Sequence, residues 1–584
     1  MRVNTWVAVS WYLLGMGRIL KYLSLGMLST ALSAVPALGA ERIAFFYPPF
    51  GEFSISINAL EVFAKQGKIT NEFNFYAKRA SPQQLAQLRD LLQRRFEVSP
   101  TLVSQFTYSP LGETVLHRLG GLLQTDSKLN GFYALRSSFI LAAADPEGLT
   151  VLNMLRRFPT RSIQLNLNRS LKIVGNFSDF TKKRDAIVVA IQQQAAAEVA
   201  AESQVDFSQQ PDLRLPGSFN WQQKTLTLHD LARDRTLRVD LYLPQPGNQI
   251  SQQAAPVIVI SHGAGEDRTS FAYLAQHLAS YGFAVAVLEH PGIDSQRFQQ
   301  YFAGLAGPPE PMESINQPKD VKYLLNQLQR LDKSDSKLQG RLNLQQVGVI
   351  GHSLGGYTAL TLAGAKINFE QLSKDCNNND FLNMSLLVQC KAALLPSTVY
   401  PLQDKRVKAV IAVNPLTSTI LGQSGLSQIQ VPLMLVGASK DIVTPAVPEQ
   451  IRPFTWLKTP NKYLVLIENA THFSTVGESA SGQSVLPVPS ELIGPNPAIA
   501  RIYLKALGVA FFQTYIANRP EYHSYLDASY AKFVSQAPLN LSLVQSFTET
   551  QLDEVFNRTL HQPYRSLTNT HLTSESRHTG SQQN

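Results

Sequence analysis

Six short apolar, β-branched runs recur between residues 256 and 467, at 256–260, 284–288, 347–350, 407–413, 432–436 and 463–467. Amphipathic helical patterns such as 271–281 and 321–331 lie between them. A strand that is apolar at every position is buried on both faces. Alternation with helices makes such strands parallel neighbours, with helices covering each side. Ahead of them, residues 224–229 and 236–243 alternate apolar and polar around the turn residues 230–235, which reads as an antiparallel hairpin. The expectation is an α/β domain over 215–515 built on a mostly parallel sheet of eight strands.

The fifth of those strands runs into Gly351-His352-Ser353-Leu354-Gly355-Gly356, and a helical stretch, 357–363, follows. A G-x-S-x-G motif between strand and helix is the setting of a nucleophile elbow. Ser353 would sit on a strained turn, with Gly351 and Gly355 where a side chain would clash as the turn tightens. The N-terminus of the next helix favours a developing oxyanion.

A serine hydroxyl attacks only when a base removes its proton, so a histidine and an orienting carboxylate are expected further along the chain. His472 follows the eighth strand in the loop Glu468-Asn469-Ala470-Thr471-His472-Phe473, whereas His523 lies among C-terminal helices. Asp441 follows the seventh strand. The end of the sixth carries Val413-Asn414-Pro415 and no carboxylate, and Asp404 precedes that strand. The candidate catalytic residues are therefore Ser353, Asp441 and His472. The oxyanion hole is assigned to the amides of Leu354 and of Ala264, the latter in Ser261-His262-Gly263-Ala264-Gly265, where glycines allow close backbone approach. His262 and His352 lie within loop motifs and read as structural. His262, His290 and Tyr357 are candidates to line a pocket. No metal site and no cofactor are expected.

The 584 residues are 44% hydrophobic and 16% charged, enough apolar surface for large cores, which excludes a disordered chain. The net charge of +9 is scattered in short groups such as Lys182-Lys183-Arg184, with no basic stripe, so nucleic acid is not an expected partner. Residues 1–40 read as a secretory signal: Arg18 and Lys21, an apolar run over 22–35, then Ala37, Gly39 and Ala40. Met16 is an alternative start to Met1, and an uncleaved membrane anchor is the alternative to cleavage. Export, to periplasm or medium, makes Cys376 and Cys390 an expected disulfide. They lie in an insertion, 366–405. Residues 41–210 are expected to form a small, mainly helical accessory domain of unknown role. In it, Ser81-Pro82, Ser99-Pro100, Ser109-Pro110 and Asp145-Pro146 each open a helix, and a polar linker closes it. A helical extension is expected over 516–562 and a disordered tail over 563–584.

Residues 220–515 resemble an α/β-hydrolase, and within that superfamily the dienelactone hydrolase and platelet-activating-factor acetylhydrolase branch. The resemblance rests on the segments 261–265, Leu288-Glu289-His290 and 351–356, with Asp441 and His472. The acetylhydrolases place their acid after the sixth strand, where this chain has Asn414. Dienelactone hydrolases use a cysteine where this chain has Ser353. The whole layout resembles exported cyanobacterial α/β-hydrolases of unknown function, whose N-terminal domain opens with a segment like Phe46-Tyr47-Pro48-Pro49-Phe50-Gly51-Glu52-Phe53. The resemblance implies a serine hydrolase acting on carboxylic esters of small molecules or lipids. A lipase with a lid, a thioesterase or amidase, and a silent binding module stay open, as do peripheral membrane contact and oligomeric state.

Overall fold

The computed structural model describes residues 39–245, 254–377, 383–477 and 493–561. The expected signal, apart from its last two residues, and the expected tail lie outside these. The chain divides into two compact units. Of the described residues, one comprises 39–177 together with 295–310; the other comprises those of 178–294 and of 311–561. The division falls inside one continuous helix, Leu167–Ala201, and not at the polar linker near 210. The Ala- and Gln-rich run offers no Pro to end the helix, which runs on through the boundary.

In the first unit the Ser-Pro pairs do what their chemistry suggests. Ser81, Ser99 and Ser109 each accept a hydrogen bond from an amide three residues on, with Pro in the first turn. Asp145-Pro146 departs from the pattern. Asp145 closes a turn, accepting from the amides of Glu147 and Gly148, and Thr150 caps the next helix, Val151–Arg156. The unit is also less purely helical than expected. Its strands are β1 (Arg42–Tyr47), β2 (Gly51–Ser56), β3 (Arg95–Phe96), β4 (Leu123–Gln124), β5 (Leu149–Thr150) and β6 (Ser162–Leu165). They form a four-stranded sheet ordered β2-β1-β6-β4 and the separate pair β3-β5. Three of the six are only two residues long, too short to leave a periodic trace. The helix Ser295–Phe302 packs on Pro100–Tyr108 although some 190 residues separate them in sequence.

The second unit is an α/β sheet: β7 (Trp221–Asp230), β8 (Arg235–Pro244), β9 (Ala255–Ser261), β10 (Ala284–Leu288), β11 (Leu342–His352), β12 (Val407–Val413), β13 (Leu433–Ala438), β14 (Lys462–Ile467) and β15 (Leu541–Val544). Among the described residues, nine strands run in the order β15-β14-β13-β12-β11-β9-β10-β8-β7, one more than expected. Strands β9 to β14 are parallel. The β7-β8 hairpin continues antiparallel from β10, and β15 closes the other edge antiparallel to β14. The stretch after 515 is thus part of the sheet, not an appended helical extension; four residues of strand among helices carry too little pattern to read. Helices Ala272–Ala279 and Pro497–Tyr515 cover one face, where Phe283, Phe511 and Phe512 are buried against Ile258 and Val285. On the loop side of β12, the insertion carries the helices Phe369–Cys376 and Ser385–Gln389, and Cys376 and Cys390 form a disulfide with Cα atoms 5.5 Å apart.

Candidate active site

All the parallel strands end on one edge of the sheet, and the sequence-selected residues follow those ends. β11 runs out at His352 and the helix Leu354–Leu362 begins immediately, leaving Ser353 alone at the junction with φ 55° and ψ −118°. A non-glycine residue in that region is strained and is held there by its surroundings. The Ser353 amide donates to the Val413 carbonyl on β12 at 2.9 Å. A Cβ on Gly351 would lie 2.0 Å from the Gly355 carbonyl oxygen, and one on Gly355 would lie 2.1 Å from that of Ser261. Only glycine lets these three backbone segments meet.

His472 and Asp441 come from the loops after β14 and β13. The imidazole Nδ1 donates to Asp441 Oδ2 at 2.7 Å, and both side chains are buried. The other Asp441 oxygen accepts from the amides of Val443 at 2.7 Å and Thr444 at 2.8 Å, and Thr444 Oγ1 donates to Oδ2 at 2.8 Å. With Nδ1 committed, Nε2 is the basic nitrogen of the ring. The His472 carbonyl accepts from Asn414 Nδ2 at 3.1 Å and from His352 Nε2 at 2.9 Å, which ties the histidine loop to the residue before Ser353. The rings of His352 and His472 are 4.8 Å apart. Asn414, where the acetylhydrolases carry their acid, therefore holds the backbone of His472.

The loop after β9 lies against the elbow: a Cβ on Gly263 would be 3.0 Å from Ser353 Cβ. Its Gly263 amide is taken by Glu266 Oε2 at 2.7 Å. Among the described residues the amides of Ala264 and Leu354 have no protein acceptor.

The pocket candidates His262, His290 and Tyr357 are all fully buried. His262 Nδ1 donates to the Gly263 carbonyl at 2.7 Å, and its Nε2 accepts from the His290 amide at 3.0 Å. Burial, then the neighbouring His290, pushes its pKa down to about 4, so the ring stays neutral. His290 links Ser261 Oγ, 2.9 Å from its Nε2, to Asp320, 3.1 Å from its Nδ1. This second Ser-His-Asp chain has the connectivity of a triad but no exposed atom for a substrate to reach. Asp320 also pairs with Arg233 and Arg235, each at 2.8 Å. Burial works against its charge, but His290 and Arg235 outweigh it and hold the carboxyl below the usual range. The chain braces the start of the loop that carries Ala264.

His352 and Glu266 form the other buried pair, 2.6 Å apart between Nδ1 and Oε1. Burial opposes charge on both. The Coulombic attraction and the hydrogen bond between them prevail, raising the imidazole pKa and lowering that of the carboxyl. The sequence reading singles out none of Glu266, Asp320 and Thr444. Thr444 has a signal, the turn-forming Asp441-Ile442-Val443-Thr444; the other two are paired only across the fold.

The chain matches a family model described as "Alpha/beta hydrolase of unknown function (DUF1400)" over residues 39–166, and one described as "Platelet-activating factor acetylhydrolase, isoform II" over 245–304. The first lies in the first unit, the second spans β9, β10 and the Ala264 loop, and neither reaches Ser353. These matches support a hydrolase on an α/β fold. No curated protein matches the chain. Among the described residues, no helix is long and apolar enough to cross a membrane, and no group of His, Cys, Asp and Glu side chains could hold a metal ion. The disulfide is compatible with an exported protein.

Proposed function

We propose that the protein is an exported serine hydrolase that cleaves carboxylic esters through Ser353, His472 and Asp441. The observation that carries this reading is the buried Asp441–His472 pair, 2.7 Å apart, whose loop is hydrogen-bonded to the residue preceding a strained Ser353. His472 Nε2 takes the hydroxyl proton as Ser353 Oγ bonds to the acyl carbon. Asp441 holds the tautomer with the proton on Nδ1 and stabilises the imidazolium. The carbonyl electron pair moves onto oxygen, which the amides of Ala264 and Leu354 receive. Collapse of the intermediate expels the alkoxide, which takes the proton from His472 and leaves an acyl-enzyme. Water then repeats the cycle: His472 accepts its proton, hydroxide adds to the acyl carbon, and Ser353 leaves reprotonated.

One feature favours small acyl groups among the candidate esters, the similarity to an acetylhydrolase model over the Ala264 loop. Separately, the insertion is fastened in a way that tells against a mobile lid. Glu449, itself buried, accepts from Asn383 at 2.8 Å and Gln389 at 3.0 Å, and from the Thr417 and Ser418 amides at 2.9 and 3.0 Å, so residues 383–389 are tied to the end of β12. The test is turnover of p-nitrophenyl esters of increasing chain length by wild type and Ser353→Ala. Activity highest on acetate or butyrate and absent in the variant is the expected outcome. Turnover retained by the variant overturns the assignment.

A further inference from the structure

Three loops have to keep register for the proposed chemistry: the elbow with Ser353, the loop with Ala264, and the loop with His472. One pair of side chains touches all three. Glu266 Oε2 accepts the Gly263 amide at 2.7 Å, one residue before Ala264. Its Oε1 faces His352 Nδ1 at 2.6 Å, one residue before Ser353. His352 Nε2 donates to the His472 carbonyl at 2.9 Å. Both side chains are buried, and the Phe271 ring, 5.8 Å from His352, closes one side.

We propose that Glu266 and His352 are positioning residues, a buried carboxylate–imidazolium clamp that holds the Ala264 loop and the His472 loop in register with Ser353. The inference rests on the serine-hydrolase reading above. Its physics is a matter of proton count. A carbonyl oxygen only accepts, so Nε2 must carry a proton to reach the His472 carbonyl. Glu266 already receives the Gly263 amide, and as a carboxylate it can receive Nδ1–H as well. An imidazolium donates from both nitrogens at once, whereas a neutral ring donates from one only. If the Glu266 side chain is removed, the Gly263 amide loses its acceptor and the imidazolium is left buried and unpaired, so it gives up a proton. The titratable groups facing His352 are Glu266, Asp441 and His472; Asp441 also favours its charge. Each clamp residue sits one peptide from a reacting residue or an oxyanion donor, or bonds to the peptide that does. A small shift therefore misaligns groups that matter in the transition state more than in substrate binding.

The experiment has two arms on the full chain. In the first, Glu266→Ala and His352→Ala are compared with wild type for kcat, KM and the rate at which a fluorophosphonate labels Ser353. The expected result is a fall in kcat and in labelling rate of roughly tenfold to a hundredfold with KM nearly unchanged, the signature of lost alignment in the transition state. In the second, 15N NMR of histidine-labelled wild type reads the protonation of His352, which stands even if a variant fails to fold. Both nitrogens protonated at pH 7 is the expected result. A neutral His352, or both variants within about twofold of wild type in kcat and labelling, overturns the clamp. Wild type that no fluorophosphonate labels overturns the hydrolase reading instead, and the NMR arm keeps the two failures distinct.

Discussion

Asp441→Asn separates charge and tautomer from shape. One Asp441 oxygen receives two backbone amides, from Val443 and Thr444, at 2.7 and 2.8 Å. In the variant, an amide turned with its NH2 toward those donors would leave both unsatisfied in a buried site, costing about 2 to 6 kcal/mol at 1 to 3 kcal/mol each. The substituted side chain is therefore not free to turn: it keeps its oxygen on the two backbone amides and presents its NH2 to His472 Nδ1. His472 must then accept at Nδ1 and carry its proton on Nε2, the nitrogen that should receive the Ser353 proton. The loss expected for a wrong tautomer is about 10⁴ in kcat, or about 5.4 kcal/mol of transition-state stabilisation. The assay is kcat on p-nitrophenyl acetate, with melting temperature as a check on folding. Asp404→Asn is the control, because Asp404 is paired with Arg406 at 2.6 Å and precedes β12. A folded Asp441→Asn that keeps more than about a tenth of wild-type kcat refutes the reasoning, since the tautomer would then not depend on this carboxylate.

Gly355→Ala places a Cβ 2.1 Å from the Ser261 carbonyl oxygen, so the elbow cannot close; loss of soluble protein or of all activity is expected, read by melting and turnover. Cys376→Ser/Cys390→Ser opens a crosslink between residues 14 apart and should lower stability by about 3 kcal/mol, measured by urea unfolding with and without reductant. His262 and His277 are held by burial to about 4, below the unfolded value near 6.5. A base whose folded pKa is depressed contributes full stability above its unfolded pKa and loses it as pH falls. Each histidine should therefore cost up to about 3 kcal/mol between pH 6.5 and 4, seen as a falling urea midpoint. A midpoint flat across that window would contradict it.

The parallel strands are legible because burial on both faces removes polar residues from them, and β9 to β14 lie where the apolar runs lie. The elbow is legible because two of its glycines have no room for a Cβ. Strand order then narrows the acid and base to Asp441 and His472, which the fold brings together. What stays hidden depends on distance along the chain or on competition between local signals. Glu266 and His352 are 86 residues apart, and nothing in either segment names the other. Residues 295–310 follow β10 in sequence yet pack in the first unit, and β15 is too short to show a period. Asp145-Pro146 has the composition of a helix start, but Thr150 caps the helix instead.

The most direct measurement is stoichiometric labelling of the wild-type protein with a fluorophosphonate, followed by peptide mapping. One adduct per chain, located on Ser353 and absent from Ser353→Ala and His472→Ala, is the expected result. No adduct on folded protein, or an adduct on any other residue, would contradict a nucleophilic Ser353 activated by His472.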